Sequence, residues 1–172
     1  MTTTGVTAHT TALGEPFTVV SVDDAVVASG WTEDVDELLA LVHPRLRPDS
    51  VHDGALPAVI EAVRRYDDGD LGALDAVTVS QRSNGAFLET AWAELRRVAP
   101  GQPLSYRDFA TRFGHENGAR VGAQACSRNA AALFVPCHRI QRTDGSMGGF
   151  RYGIELKRRL QAHETHHARH AA

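Results

Sequence analysis

Residues 17–31, FTVVSVDDAVVASGW, restrict the fold more than any other stretch of the chain. They hold two runs dominated by valine and other strand-forming residues, with only Asp23 and Asp24 between them. Branched side chains suit a pleated strand, and so short a polar connector joins two strands as a tight hairpin. Downstream, DVDELLALVHP has apolar residues at helical spacing, acids in its first turn and Pro44 to stop it. After a polar, proline-containing stretch, PAVIEAVRRY reads as a second helix and DDGDLGALDAVTVS as a turn leading into a strand. The Thr-rich start, Met1 to Ala12, reads as a loose terminus. Residues 1–80 are expected to form a small α/β support domain, and no catalytic constellation is visible in them.

From Asn84 the pattern becomes helical: Leu88, Ala91, Trp92, Leu95 and Val98 share one face of GAFLETAWAELRRV, and APGQP ends it. Ser105 is placed to cap YRDFATRF, a short helix with Tyr106, Phe109, Ala110 and Phe113 on one side. The turn GHENG and a further helix, ARVGAQACSRN, complete a helix-turn-helix shape over Ser105 to Asn129. Gly122, Ala123 and Ala125 allow this last helix to approach another backbone closely, either a DNA groove or a neighbouring helix, with Arg120 and Arg128 projecting from it.

Charge follows the same division. Residues 1–80 carry 4 Arg against 14 acids, a net of −10, and residues 81–172 carry 14 basic residues against 7 acids, a net of +7. A basic second half points to a polyanion, or else to surface charge that folding partly neutralises. No run approaches the roughly 18 apolar residues of a membrane span, and the start of the chain lacks the basic flank and apolar stretch of a secretion signal. A cytoplasmic chain is expected. Its two cysteines, Cys126 and Cys137, would then remain thiols.

Cys137 lies in FVPCHRIQR, at the end of an apolar run. A thiol is nucleophilic as thiolate, and an imidazole with a positive environment lowers its pKa from about 8.5. His138 and Arg139 are those residue types. Neighbours on an extended segment face opposite sides, so a direct Cys137–His138 contact would need a bend at Pro136 or a bridging water. A buried small hydrophobe is the other reading of this cysteine. With no Cys-x-x-Cys pair, no metal site is expected.

The stretch PCHR is accompanied by SYRDFA, ARVGAQ, SRN and GGFRYGIELKRRLQAHE, in that family's order and spacing, and the set resembles the active-site signature of the O6-alkylguanine-DNA alkyltransferases. The likeness runs from about Phe87 to Glu164, and more weakly through YDDGDL in the first half. It implies an α/β (α+β) protein: a ribonuclease-H-like N-terminal domain over 1–80, and a mainly helical domain over 81–165 with a winged-helix-like DNA-binding module. Residues 166–172 are expected to be a disordered tail.

By that resemblance Cys137 is the alkyl acceptor, His138 takes the thiol proton through a water, and Glu164 orients the imidazole. This is the nucleophile, base and orienter logic of a protease triad applied to an alkyl carbon. Asn129 ties the recognition helix to the active-site loop. Tyr106 moves the 3′ phosphate and donates a hydrogen bond to the flipped base, and Arg120 enters the stack in its place. Arg107, Gly122, Ala123, Arg128 and Thr143 join Tyr106 and Arg120 at the DNA, in the minor groove. Val135 through its backbone, Ile140, Phe150 and Arg151 form the guanine pocket. The implied activity is single-turnover repair of O6-alkylguanine, with O4-alkylthymine as a further substrate, by a monomer acting on double-stranded DNA without cofactor or metal.

Three departures bear on the transfer. Asn129 is followed by Ala130 to Ala132 where the family often has proline, Cys126 occupies a position that is usually not cysteine, and FLETAW is one residue shorter than in some members. Two other classes stay open at this point. A damage sensor would flip the base without taking its alkyl group; a transcription regulator would need base-reading side chains that ARVGAQACSRN does not offer.

Overall fold

The computed structural model describes residues 1–171 and divides into two compact units, residues 1–83 with 130–134, and 84–129 with 135–171. In the first unit, strands β1 (Thr4–Ala12), β2 (Glu15–Val22), β3 (Ala25–Gly30) and β4 (Ser50–Asp53) form one sheet in the order β3-β2-β1-β4. The expected hairpin is β2–β3, and Asp23 and Asp24 both take positive φ, +49° and +62°, as a two-residue turn requires. Strand β4 pairs parallel to β1, giving the mixed α/β architecture anticipated from the sequence.

Met1 to Ala12 is not a loose terminus: Thr4–Ala12 is β1, paired to β2 from Val6↔Ser21 to Ala12↔Glu15. Threonine is polar enough to mimic a solvated tail, yet its branched Cβ favours the strand, and Leu13 and Gly14 turn the chain back with positive φ. Strand β4 likewise sits inside the stretch read only as polar. The strand expected at the end of DDGDLGALDAVTVS is reduced to a single bridge, Val26↔Val79, after a 3-10 turn at Ala73–Ala76.

Helix α1 (Val35–Leu39) is capped by Asp34, and Leu38 with Val42 packs on Val20, Val27 and Ala28 of the sheet. Helix α2 (Pro57–Asp67) lies on β1 and buries Val63 and Tyr66 completely. Residues 130–134 run beside β3: Ser29 N donates to Ala130 O at 2.9 Å and Ser29 Oγ to Ala132 O at 2.8 Å. Phe134 reaches Phe17, which stacks edge-on against Trp31. The apolar run AAALF therefore completes the first unit's core, whereas the sequence division had placed it in the second.

The second unit comprises α3 (Ala86–Leu95), β5 (Leu104–Ser105), α4 (Tyr106–Arg112), α5 (Ala119–Ser127), β6 (Ile140–Gln141) and α6 (Ile154–His170). Ser105 caps α4 as anticipated, its Oγ accepting from Asp108 N at 3.0 Å. Strands β5 and β6 pair in parallel, Leu104 to Ile140, which anchors the start of α4 beside the chain that follows Cys137. Trp92 of α3 donates its indole N–H to Ala125 O at 3.0 Å, fixing α5 from below. Helix α6 continues to His170, so residues 166–170, expected to be disordered, are helical; ETHHARH keeps the chain free of Gly and Pro and simply extends the preceding turns.

Candidate active site

Pro136 bends the chain (φ −84°, ψ 66°), and Cys137–Arg139 forms a 3-10 turn rather than an extended segment. Cys137 sits half-buried at its head, while His138 and Arg139 turn inward, with exposures of 0% and 5%. Beneath them α6 presents Glu164, 1% exposed. Its carboxylate meets His138 Nε2 at 2.9 Å and accepts from Arg139 Nε at 2.9 Å and Nη2 at 3.0 Å. Arg139 also donates through Nη1 to Val98 O at 2.7 Å, and Gln161 Nε2 holds the His138 carbonyl at 2.9 Å.

Burial alone would raise the Glu164 pKa. The facing His138 and the Arg139 guanidinium outweigh it and hold the carboxyl down at about 2. The carboxylate at Nε2 favours an N–H on that nitrogen, and Nδ1 is the ring nitrogen that Glu164 leaves free. Nδ1 is buried and meets no partner atom among the described residues. An orphaned ring nitrogen in such a place has room for a proton-transfer role.

Asn129, buried at the end of α5, donates Nδ2 to Val135 O at 2.7 Å and hydrogen-bonds the Cys137 thiol. Burial raises the pKa of that thiol, and Asn129, Lys157 and Arg151 pull it back down. Tyr106, at the start of α4, stands with its hydroxyl 3.3 Å from Lys157 Nζ, and burial with the two nearby thiols lifts its pKa to about 12. It stays a neutral hydrogen-bond donor throughout the physiological range. Gly148, at φ +69°, passes over that hydroxyl so closely that a Cβ would lie 2.5 Å from it.

The structure thus brings Cys137, His138, Glu164, Asn129 and Tyr106 into one unit, and it sorts the remaining residues. Arg107, Arg120, Ala123, Arg128 and Thr143 are exposed. Gly122 is not: it is buried under α4, where a Cβ would come within 2.4 Å of Tyr106 O, so the close approach it permits is to a helix rather than a groove. The Val135 carbonyl accepts from Asn129 Nδ2 at 2.7 Å and from Cys137 N at 2.9 Å. Ile140 is fully buried in β6, Phe150 stacks edge-on with Tyr152, and Arg151 donates to Ser127 O at 2.6 Å.

Two residues of the site escaped the sequence reading. Arg139 was visible only as a positive neighbour of Cys137, not as the second cation on Glu164. Lys157 left a clearer signal, since it is the only lysine of the chain and stands seven positions, two helical turns, before Glu164.

Residues 86–166 match the family model described as 6-O-methylguanine DNA methyltransferase, DNA binding domain. The chain is 36% identical over 80 residues to the bifunctional transcriptional activator/DNA repair enzyme Ada of Escherichia coli, covering 46% of this chain and 23% of that protein. It thus spans about a quarter of that relative's length. A methylated-DNA–protein-cysteine methyltransferase of Shigella flexneri is 27% identical over 161 residues, covering 90% of this chain and 91% of its own. The fold is that of the Mycobacterium tuberculosis OGT crystallised in complex with DNA, at a TM-score of 0.76 and 22% identity over 94% of both chains.

Proposed function

We propose, for a chain that belongs to the 6-O-methylguanine DNA methyltransferase family, that Cys137 accepts the alkyl group of O6-alkylguanine in DNA in a single, irreversible transfer. The observation that carries this reading is the buried His138–Glu164 pair behind Cys137, with Nδ1 of His138 unpartnered among the described residues.

The Cys137 proton passes through one water to His138 Nδ1, and the imidazolium that forms is held at Nε2 by Glu164. The thiolate attacks the alkyl carbon in line with the bond to O6. The S–C bond forms as the C–O6 bond breaks, the electron pair stays on the guanine O6, and the guanine takes up, through water, the proton that His138 received from Cys137, while the Tyr106 hydroxyl donates a hydrogen bond to it. The product is a thioether that water does not cleave, so each chain acts once, and the step draws on no cofactor or metal.

The substrate base must leave the stack to meet a half-buried sulfur, at a cost of a few kcal/mol. Arg120 fills the gap, and the exposed Arg107, Ala123, Arg128 and Thr143 hold double-stranded DNA along its minor groove, with the chain acting as a monomer in the cytoplasm. Residues 1–80 serve as a support domain. O4-alkylthymine presents the same alkyl-oxygen bond and is a second substrate.

A damage sensor that flips the base without transfer is favoured by one observation, the burial that raises the Cys137 pKa. Intact-protein mass spectrometry after incubation with an O6-methylguanine duplex separates the two. A gain of roughly 14 Da mapped to Cys137, once per chain, supports transfer. An unchanged mass with the duplex still bound leaves the sensor.

A further inference from the structure

His163, His166, His167 and His170 close helix α6, beyond the last residue that the alkyl-transfer site uses. With 3.6 residues per turn, the four fall on one arc of the helix about 100° wide. Their rings follow one another: the centres of His163 and His167 are 4.5 Å apart, those of His167 and His166 4.9 Å, and those of His166 and His170 4.5 Å. A metal ion about 2.0–2.1 Å from one nitrogen of each of two rings, with about 90–110° between its bonds, sets ring centres roughly 4.4–5.1 Å apart. Both i,i+4 pairs have that spacing.

Hydrogen bonding and exposure select one pair. His170 Nδ1 lies 2.7 Å from His166 O, and a carbonyl only accepts, so Nδ1 carries the proton. In the neutral ring Nε2 then keeps its lone pair, the state in which an imidazole coordinates a metal while its other nitrogen is anchored on a carbonyl. His166 and His170 are exposed, whereas His163 and His167 are half-buried. The turns that carry the pair are seated on the chain at Gly101, where a Cβ would come within 2.9 Å of Ala168 Cβ and 3.2 Å of Glu164 O.

The groove beside His166 and His170 also holds Arg158, Gln161, Thr165 and Arg169, and none of its described lining residues is acidic. Calcium and magnesium are held by oxygen, above all carboxylate, so this groove offers them little; Zn²⁺, Ni²⁺ and Cu²⁺ are the ions that imidazole suits. The two arginines oppose any dication. Glu155, 3.6 Å from Arg158, and the negative end of the α6 dipole offset part of that opposition.

Residues 163–167, HETHH, also spell the His-Glu-x-x-His pattern of helical zinc hydrolases, where the glutamate is the general base. Glu164 is 1% exposed and already held by His138 and Arg139, so it cannot serve a metal-bound water at the histidines. Nor does any group of three or more His, Cys, Asp or Glu side chains converge to hold a metal among the described residues. What remains is binding by two imidazoles, with water in the other coordination positions.

We propose that His166 and His170 form a clamp for one divalent transition-metal ion, with zinc or nickel as the probe. The ion ties successive turns of α6 together and stiffens the helix that presents Glu164 to His138. It has no part in alkyl transfer, so the clamp stands or falls apart from that reading.

Isothermal titration calorimetry of the full chain with ZnCl₂, NiCl₂ and MgCl₂ tests it. Zinc and nickel should saturate at micromolar concentration with one ion per chain, and magnesium should give no heat. His166→Gln and His170→Gln, which keep good helix formers at exposed positions, should each weaken binding by about tenfold or more. His163→Gln should leave it within about threefold of the parent. Heat that survives in the His166→Gln, His170→Gln double variant belongs to the two thiols. Zinc should also raise the parent's thermal midpoint by a few degrees and leave that of the double variant unmoved. Binding as tight in the double variant as in the parent overturns the clamp, as does a loss of equal size in His163→Gln. Two chains per ion would make the histidines a bridge between copies instead, and saturation only at millimolar metal would mean adventitious binding only; either result also overturns the proposal.

Discussion

The side-chain amide of Asn129 spans 2.7 Å to the carbonyl of Val135 and so joins the two residues that flank the 130–134 segment. The same amide reaches the Cys137 sulfur and lowers its pKa against the effect of burial. One residue thereby fixes where the acceptor turn begins and how readily its thiol ionises. In Asn129→Ala the buried Val135 carbonyl loses a donor and Cys137 loses its hydrogen bond. A destabilisation of about 1–3 kcal/mol in urea melts is expected, together with an upward move of the Cys137 titration followed by iodoacetamide labelling. Three alanines, not a proline, follow Asn129, so the backbone itself adds little rigidity here, and unchanged stability would remove Asn129 from that role.

Glu164 supplies a pH signature. In spite of burial, His138 and Arg139 hold its folded pKa at about 2, below the usual carboxylate value of about 4.5. A depressed carboxylate pKa contributes stability that is fully present above the unfolded value and is lost as pH falls through the folded one. Urea midpoints should therefore fall between about pH 4.5 and 2, and Glu164→Gln should flatten that part of the profile. The same variant strands the buried Arg139 guanidinium, so a loss of about 3–5 kcal/mol at pH 7 is expected, with alkyl transfer reduced as His138 loses its orienting partner. A Glu164→Gln protein as stable as its parent would mean that the ion pair contributes nothing.

The hairpin β2–β3, the cap at Ser105 and the helical pair α4–α5 were all legible because each is set by local chemistry: strand formers around two acids, a serine before a helix, glycines around a turn. Cys137, His138 and Glu164 were legible through spaced motifs, since they stand 1 and 26 residues apart in sequence and only a fold-level likeness links them. Strand β1 was hidden by threonine, whose polarity and strand preference point in opposite directions. The placement of Ala130–Phe134 beside Ser29 depends on a pairing between residues 103 positions apart, which no local pattern encodes. Arg139 and Lys157 were missed for a related reason: their meaning lies in what is buried next to them, and sequence shows only that they are positive.

Gly122 and Gly148 both border Tyr106, and each should resist a methyl group for a different reason. In Gly122→Ala the new Cβ meets the backbone oxygen of Tyr106 at 2.4 Å, so α4 and α5 must separate. A loss of about 1–3 kcal/mol is expected from such overpacking, read as a lower thermal midpoint. In Gly148→Ala the methyl meets the Tyr106 hydroxyl at 2.5 Å on a backbone with φ +69°. Steric conflict and left-handed strain then act together, and alkyl transfer should suffer more than stability because the loop lies over the site. Equal stability of Gly122→Ala and its parent would place the tight contact elsewhere.

Cys137→Ser and Arg120→Ala separate chemistry from base extrusion. Cys137 is half-buried in a short turn and Arg120 is exposed on α5, so neither change should move the urea midpoint by more than about 1 kcal/mol. The serine variant should bind an O6-methylguanine duplex with parent-like affinity and gain no mass. The alanine variant keeps the thiol, His138 and Glu164 in place, so it should react with free O6-benzylguanine as the parent does. On a duplex it should slow by about tenfold or more, because the cost of unstacking is no longer offset by a side chain in the gap. If the free base and the duplex slow equally, Arg120 acts on the chemistry at Cys137 and does not fill the stack.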